Sequence, residues 1–297
     1  DVSAAQDVPA DLRGADTVPV ADTADPPPDG APPQDAPAPP DIPPDLAPPA
    51  ASWTVLTYNL HCHHDDPAAR MALVAAEAVS RGAEVLLLQE VCEGAGLANT
   101  ADTLAELLEG AAGDDWTALT QSTHLAWDTY EEGLGLVTSG TVIDWGSVAL
   151  PPGLFPRKAL HARIEATDGP LDAVVTHLSF GDQAGVRLVQ AEALATWIEQ
   201  AVLPGAPGPV VLGGDFNDVP GSPPLAVFTA WTEAWAATHP GDPGKTYPAG
   251  AATSKIDHIL LHPGSGAAFG QAALVFDEEV DGGFPSDHYG IVATLTR

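Results

Sequence analysis

The chain has 297 residues, with 41 Asp and Glu against 10 Lys and Arg and a formal net charge of −31. That balance excludes a protein held to nucleic acid by a broad basic face, and no apolar run approaches the roughly 18–20 residues of a membrane helix. Two cysteines exclude a disulfide scaffold and a four-thiolate zinc module, and an apolar content of 45% excludes disorder throughout.

Residues 1–50 hold 14 Pro, 10 Asp, a single Arg and no aromatic residue. Pro removes backbone donors and the acidic charges repel, so this stretch is expected to be a disordered, partly polyproline-II spacer without chemistry of its own. The sequence starts at Asp1, without an initiator Met or a hydrophobic signal region, so it is expected to begin after any targeting segment. Such a tail suits a secreted, periplasmic or surface-attached protein. Residues 51–297 hold all seven Trp, four Tyr and seven Phe, with 31 acidic and nine basic residues. They are enough for one large core.

Ser52–Leu60 alternates and is rich in β-formers, which predicts a strand. Asp66-Pro67 is an N-cap and first-turn pair for a helix to about Ser80, stopped by Gly82. Glu84–Gln89 contains the short buried run Val85-Leu86-Leu87-Leu88, a further strand. Thr100–Glu109 puts Leu104, Leu107 and Leu108 on one helical face. Gly133–Thr138, Ala159–Ala166 and Leu171–Leu178 read as strands. Ala184–Val202 reads as a long helix with Leu188, Leu194, Trp197 and Ile198 inward. Pro209–Leu212, Lys255–His262 and Ile291–Leu295 complete the strands. Strands recur without strict βαβ alternation, which favours two packed sheets with outer helices over a doubly wound parallel sheet.

Six polar clusters follow apolar strand residues: Tyr58-Asn59-Leu60, Leu88-Gln89-Glu90, Thr176-His177-Leu178, Gly213 to Asp218, Lys255 to His258, and Ser286-Asp287-His288. A carboxylate, amide or imidazole at the mouth of a buried strand is held rigidly and partly desolvated. The oxygen-rich set suits a hard cation such as Mg²⁺, and leaves the histidines for proton transfer and for bonds to an anion. Each cluster alone has a plainer reading. Asn59 suits a turn, Glu90 a solvated strand end, and Gly213-Gly214-Asp215 a tight turn that uses glycine's freedom. His177 suits a satisfied half-buried histidine and Asp257-His258 an edge pair. Six in one order along one domain favour a shared site.

In that order, and above all in Gly214-Asp215-Phe216-Asn217 and Ser286-Asp287-His288, the sequence resembles the endonuclease/exonuclease/phosphatase superfamily. The resemblance covers residues 52–297. It implies an α/β fold, a DNase I-like four-layer α/β/β/α sandwich of two packed mixed β-sheets with outer helices. It implies Glu90 as main metal ligand, Asn59 supporting metal and phosphate, and Asp287 as a direct or water-mediated ligand. By the same resemblance Asp215 orients or deprotonates the attacking water, and Asn217 helps to hold phosphate and nucleophile. His288 bonds the scissile phosphate or relays a proton, Asp257 orients His288, and His177 contacts phosphate or the leaving oxygen. Arg157, in the one adjacent basic pair Arg157-Lys158, and Tyr130, with Glu132 just before Gly133, are candidates for substrate contacts. A solvated loop pair is the other reading of Arg157-Lys158.

The expected cofactor is Mg²⁺, with Mn²⁺ as a second option. His61 stands where some family nucleases have an Asp, in His61-Cys62-His63-His64, and these histidines are taken as peripheral. If Asn59 and Glu90 converge on one metal, Cys62 and Cys92 are neighbours and form a disulfide, suited to an oxidising compartment. The expected activity is metal-dependent hydrolysis of phosphoesters, diesters before monoesters. The substrate is left open among nucleic acid, nucleotide, phospholipid head group and sugar phosphate. An extracellular DNase of the same family is the alternative, because acidity argues against a bulk DNA substrate. A non-catalytic binding module ranks last, since Glu90, Asp215, Asn217 and His288 are all present. A monomer is expected. The loops Glu93–Asn99, Thr123–Glu132 and Pro240–Ala252 are expected to set specificity.

Overall fold

The computed structural model describes residues 52–280 and 282–297. The spacer expected over residues 1–50 lies outside the described residues. In chain order the elements are β1 (Ser52–Asn59), α1 (Pro67–Ser80), β2 (Val85–Gly94), α2 (Thr100–Ala112), β3 (Thr117–Ala126), β4 (Tyr130–Thr138), β5 (Thr141–Ala149), β6 (Lys158–Ala166), β7 (Gly169–His177), α3 (Ala184–Trp197), β8 (Val210–Asp215), α4 (Pro223–Ala226), β9 (Thr232–Glu233), α5 (Ala234–Thr238), β10 (Asp257–Leu261), β11 (Ala268–Val275) and β12 (Gly290–Thr296).

They build two six-stranded sheets, β11-β12-β1-β2-β4-β3 and β5-β6-β7-β8-β10-β9. Both are mixed. The parallel pairs β1/β2 and β7/β8 are joined through α1 and α3, and the other pairs are antiparallel. The sheets face each other across a core that includes Trp53, Val55, Val85, Leu87, Leu134 and Leu136 from one, and Leu160, Ile164, Val175, Val211 and Ile259 from the other. The outer faces are covered as well. Leu56, Leu86 and Leu88 pack on Met71, Val74, Leu104 and Leu108 of α1 and α2. Val174, Leu212 and Leu260 pack on Leu194 and Ile198. Burial on both faces explains why the central strands read as near-continuous apolar runs. Each fully buried Leu here contributes about 1.5–3 kcal/mol of transfer free energy. The four-layer sandwich expected from the sequence is the observed fold.

Asp66 caps α1 as expected, its carboxylate accepting from the Ala69 amide at 3.1 Å. The long helix is shorter than expected. It ends at Trp197 and passes into a π turn over Ile198–Val202. Leu188 and Trp197 are only half-buried, and the inward face carries Arg187 and Gln190 beside Ala191 and Leu194. The strands absent from the sequence reading are β3, β5, β9 and β11, the edges of both sheets. An edge strand is exposed along much of its length, so it lacks the buried apolar run that marks the interior strands.

Gly213 and Gly214 lie in β8 and not in a tight turn. A Cβ on Gly214, at φ 148°, would stand 2.0 Å from the Thr176 carbonyl oxygen of β7, whereas one on Gly213 would meet only the Leu87 Cδ1 methyl at 2.7 Å. A side-chain methyl can rotate away and a backbone carbonyl cannot. Gly214→Ala is therefore expected to cost on the order of 2–4 kcal/mol, clearly more than Gly213→Ala. Urea denaturation midpoints of the two variants check this, and equal losses would contradict it.

Candidate active site

Every second residue of the central strands faces the intersheet core. On β1 that series is Trp53, Val55, Thr57, Asn59, and on β7 it is Leu171, Ala173, Val175, His177. On β8 it is Val211, Gly213, Asp215, and on antiparallel β10 it runs back from Leu261 and Ile259 to Asp257. Each series is apolar in the middle and polar at the same end. The register pairs His177 with Asp215 and Asp215 with Asp257. The site is thus the polar end of the core, in line with ligand sites at the carboxyl ends of parallel strands.

Asp215 Oδ2 is the point of convergence. Asn59 Nδ2 lies 3.4 Å from it, His177 Nε2 3.4 Å and His288 Nε2 3.9 Å. The other oxygen, Oδ1, accepts from the Asn217 amide at 2.7 Å. Burial, and then the charge of Asp257, raise Asp215 to about 7. His288 Nδ1 sits 3.0 Å from Asp257 Oδ2. Burial opposes charge on this ring, but Asp257 and then Asp215 more than offset it, so His288 is raised to about 10.

Glu90 is the extra residue of a bulge in β2, between Gln89 and Val91, and sits at φ 50°. A non-glycine residue in that region is strained and persists only where its surroundings hold it. Three contacts do so. Asn59 Nδ2 donates to Glu90 Oε1 at 3.0 Å, the Cys62 amide donates to the Glu90 carbonyl at 3.1 Å, and the Cys62–Cys92 disulfide ties the two loops. The expected disulfide is present. The His61 amide donates to Asn59 Oδ1 at 3.0 Å, which turns Nδ2 toward the carboxylates. In this orientation Asn59 steadies Glu90 and Asp215 instead of offering an oxygen to a cation. Burial, with Asp287 and Asp215 nearby, raises Glu90 above the usual carboxylate range.

Arg157 is buried, so the solvated-loop reading does not hold. Its Nη1 lies 3.5 Å from Glu132 Oε1 and donates to His177 Nδ1 at 3.2 Å. A guanidinium only donates, so His177 Nδ1 is an acceptor and the ring proton sits on Nε2, on the side of Asp215. Burial and the charge of Arg157 push His177 well below the ordinary histidine value. It is a neutral hydrogen-bond donor at physiological pH. Burial and the neighbouring Glu90 raise Glu132 to about 7.

These groups line one cleft of about 600 Å³, which contains Glu90, Glu132, Arg157, His177, Asp215, Asn217, Asp287 and His288. Asp257 lies behind His288, and Asn59 behind Glu90. Asp287 stands 3.5 Å from His61 Nδ1. Tyr130 does not line this cleft. It lines a neighbouring pocket with His61 to Asp65 and packs against His63, ring centres 5.1 Å apart. Among the described residues, Asp215, Asp257 and His288 form the one group of three with potential ligand atoms mutually within 4.8 Å. Asp257 and His288 satisfy each other, so that group reads as a hydrogen-bonded relay. Of the loops expected to set specificity, Thr123–Glu132 supplies His124, Trp127 and Glu132 to the cleft, Pro240–Ala252 supplies Tyr247, and Glu93–Asn99 supplies none. Phe155 and Phe180 also line it and were not anticipated. Their signal was an aromatic residue in each of two loops flanking candidate site residues, Arg157 and His177.

Residues 56–288 match the family model described as the Endonuclease/Exonuclease/phosphatase family. A curated relative from Thioalkalivibrio sp. (strain K90mix), called a deoxyribonuclease, is 30% identical over 176 residues, 56% of this chain and 45% of that protein. The chain therefore spans less than half of that relative. Among solved structures, an endonuclease/exonuclease/phosphatase family protein from Leptotrichia buccalis superposes with a TM-score of 0.66 at 16% identity, over 82% of this chain and 100% of that one. An endonuclease/exonuclease/phosphatase from Beutenbergia cavernae gives 0.63 at 22% identity, over 83% and 72%. TDP2 of D. rerio, complexed with a single-strand DNA product, gives 0.65 at 17% identity, over 83% and 100%. At these identities the likeness to the three structures is one of fold.

The two rings should behave oppositely in solution. By ¹⁵N-edited NMR at neutral pH, His177 is expected to be neutral with its proton on Nε2, while His288 is protonated. Asp257→Asn should lower the His288 value by on the order of 1–3 units. Titration of His177 near 6.5, or an unmoved His288 in Asp257→Asn, would contradict the arrangement.

Proposed function

Because the chain belongs to the endonuclease/exonuclease/phosphatase family, whose members are phosphoesterases and nucleases, we propose that it is a divalent-metal-dependent phosphodiesterase acting on nucleic acid. The observation that carries the reading is the meeting of Asn59, His177 and His288 on Asp215 Oδ2, with Glu90 bonded to the same Asn59. The deoxyribonuclease relative supports nucleic acid over the nucleotide, head-group and sugar-phosphate substrates that the sequence had left open.

The donor chemistry fits a hard cation. Carboxylates crowd the cleft, Glu90 is raised by burial and by neighbouring carboxylates, and Arg157 is the one Lys or Arg lining it among the described residues. Oxygen donors of this kind suit Mg²⁺ or Mn²⁺. Glu90 and Asp287 would hold the ion, with Asn59 steadying Glu90. When bound, the ion would neutralise phosphate charge that otherwise repels the nucleophile.

The side chains divide the remaining work. Asp215 accepts a proton from the attacking water and keeps it aligned. His288 donates to a phosphate oxygen, and Asp257 holds it protonated for that purpose. His177 offers its Nε2 proton to the phosphate or to the leaving oxygen, and Arg157 fixes that tautomer. Asn217, whose Nδ2 is tied to the Leu178 carbonyl at 3.2 Å, positions phosphate and nucleophile. The Cys62–Cys92 disulfide supports an oxidising compartment outside the cytoplasm.

Asp215→Ala and Glu90→Gln are each expected to lower the rate on DNA by on the order of 10²–10⁴-fold with Mg²⁺ or Mn²⁺, and chelation should abolish it. Undiminished activity in Asp215→Ala or in excess chelator would refute the mechanism. The pH profile follows from the two shifted groups. Asp215 is a base only when deprotonated, so kcat/KM rises through about 7. His288 is a donor only when protonated, so kcat/KM falls through about 10. Asp257→Asn should move the alkaline limb down, and a profile that kept this limb in place would assign it to another group.

A further inference from the structure

We propose that the rim of the cleft is a base-stacking platform, and that the preferred substrate is single-stranded nucleic acid. The inference rests on the phosphodiesterase reading and adds the substrate class. Trp127, Phe155 and Phe180 line the cleft beside the reacting groups. Trp127 is 66% exposed and Phe180 43%. Large exposed aromatic rings grouped at a catalytic cleft mark a binding surface.

The two Phe rings are held in place. The Phe155 and Phe180 rings are 5.9 Å apart and within 15° of parallel, and His124 stacks on Phe155 at 4.6 Å. Both loops are anchored by the polar inward face of α3. Arg187 Nη1 donates to the carbonyls of Ser179 at 3.0 Å and Gly181 at 2.8 Å, on either side of Phe180. Gln190 accepts from the Ser179 amide and donates to the Pro151 carbonyl, both at 2.9 Å. Gln183 Oε1 accepts from the Leu154 amide at 2.9 Å, next to Phe155. Trp127 and Asp128 sit at φ 47° and 53°, a backbone conformation that side chains disfavour. The Phe155 and Phe180 rings are thus set before a ligand arrives, which lowers the ordering cost of binding.

Charge then selects the ligand. Arg157 is committed to Glu132 and His177, and the rest of the cleft is rich in carboxylates. The cleft therefore offers little to flanking phosphates. Stacking is indifferent to net charge and tolerant of sequence, because every base has a π-face. In a duplex those faces are covered by neighbouring base pairs. An unpaired strand presents them.

The test compares three substrates of equal phosphate spacing: single-stranded oligothymidylate, a chain of the same length without bases, and oligothymidylate annealed to its complement. The readouts are kcat/KM with Mg²⁺ and fluorescence anisotropy in chelator, where no turnover occurs. The single strand should exceed the base-free chain by on the order of 10–100-fold, and should exceed the duplex. Trp127→Ala and Phe180→Ala should bring the ratio to the base-free chain toward one, mainly through KM. Trp145→Ala, an exposed Trp on β5 that does not line the cleft, should leave that ratio alone. Equal wild-type affinity and rate for chains with and without bases would overturn the proposal. So would a duplex preference, unaffected ratios in both rim variants, or binding to phosphatidylcholine vesicles through these rings without binding of the oligonucleotide. Oligothymidylate binding with no hydrolysis of any chain would sink the phosphodiesterase reading alone. Hydrolysis without base preference would sink the stacking platform alone.

Discussion

The two-residue period of the β-strand is the constraint on which the rest of this molecule depends. It sends Trp53, Val55, Thr57 and Asn59 to the same face, so the side chains that build the core and the one that supports the site are consecutive members of a single series. A slip of one residue in β1 would bury Leu56 between the sheets and turn Asn59 outward. The same holds for β7 and β8, whose inward series end on His177 and Asp215. Stability and chemistry are specified together, and the apolar pairs between the sheets fix the distance at which the polar ends meet.

Electrostatics act within that frame. Desolvation at the end of a core raises Asp215 and Glu90, and proximity to Asp257 sustains a charged imidazole at His288. Between about 7 and about 10 a deprotonated Asp215 therefore faces a protonated His288, the arrangement that acid–base work on one reaction centre requires. Arg157 contributes less as a charge for substrate than as a donor that sets the tautomer of His177. The acidity of the cleft is consistent with affinity that comes from a cation and from aromatic faces.

The interior of the fold was legible in the sequence because both faces of the central strands are buried. Val85-Leu86-Leu87-Leu88 has no polar face to hide. The edge strands were not, since a segment such as Thr117–Ala126 mixes exposed with half-buried residues and owes its form to hydrogen bonds with β4. The candidate side chains that meet at the cleft were legible through their order along the chain and their place after apolar runs. Tyr130 lines the neighbouring pocket and not the cleft, because position along the chain says nothing about which pocket a ring enters. Arg187 and Gln190 were missed for a related reason. Helical periodicity assigns the inward face to apolar residues, and only the folded chain reveals the carbonyls of Pro151, Ser179 and Gly181 that these side chains satisfy. The bulge that strains Glu90 leaves no compositional trace either.

The most direct test of the central claim is paramagnetic relaxation of ³¹P in a non-hydrolysable phosphodiester analogue with Mn²⁺ as the cation. A site shared by both sheets predicts strong relaxation that Glu90→Gln abolishes by releasing the ion and that His177→Ala or His288→Ala weakens by loosening the phosphate. Relaxation indifferent to Glu90, or affected by Glu90 but by neither His177 nor His288, would mean that the two sheets do not act on one phosphorus centre.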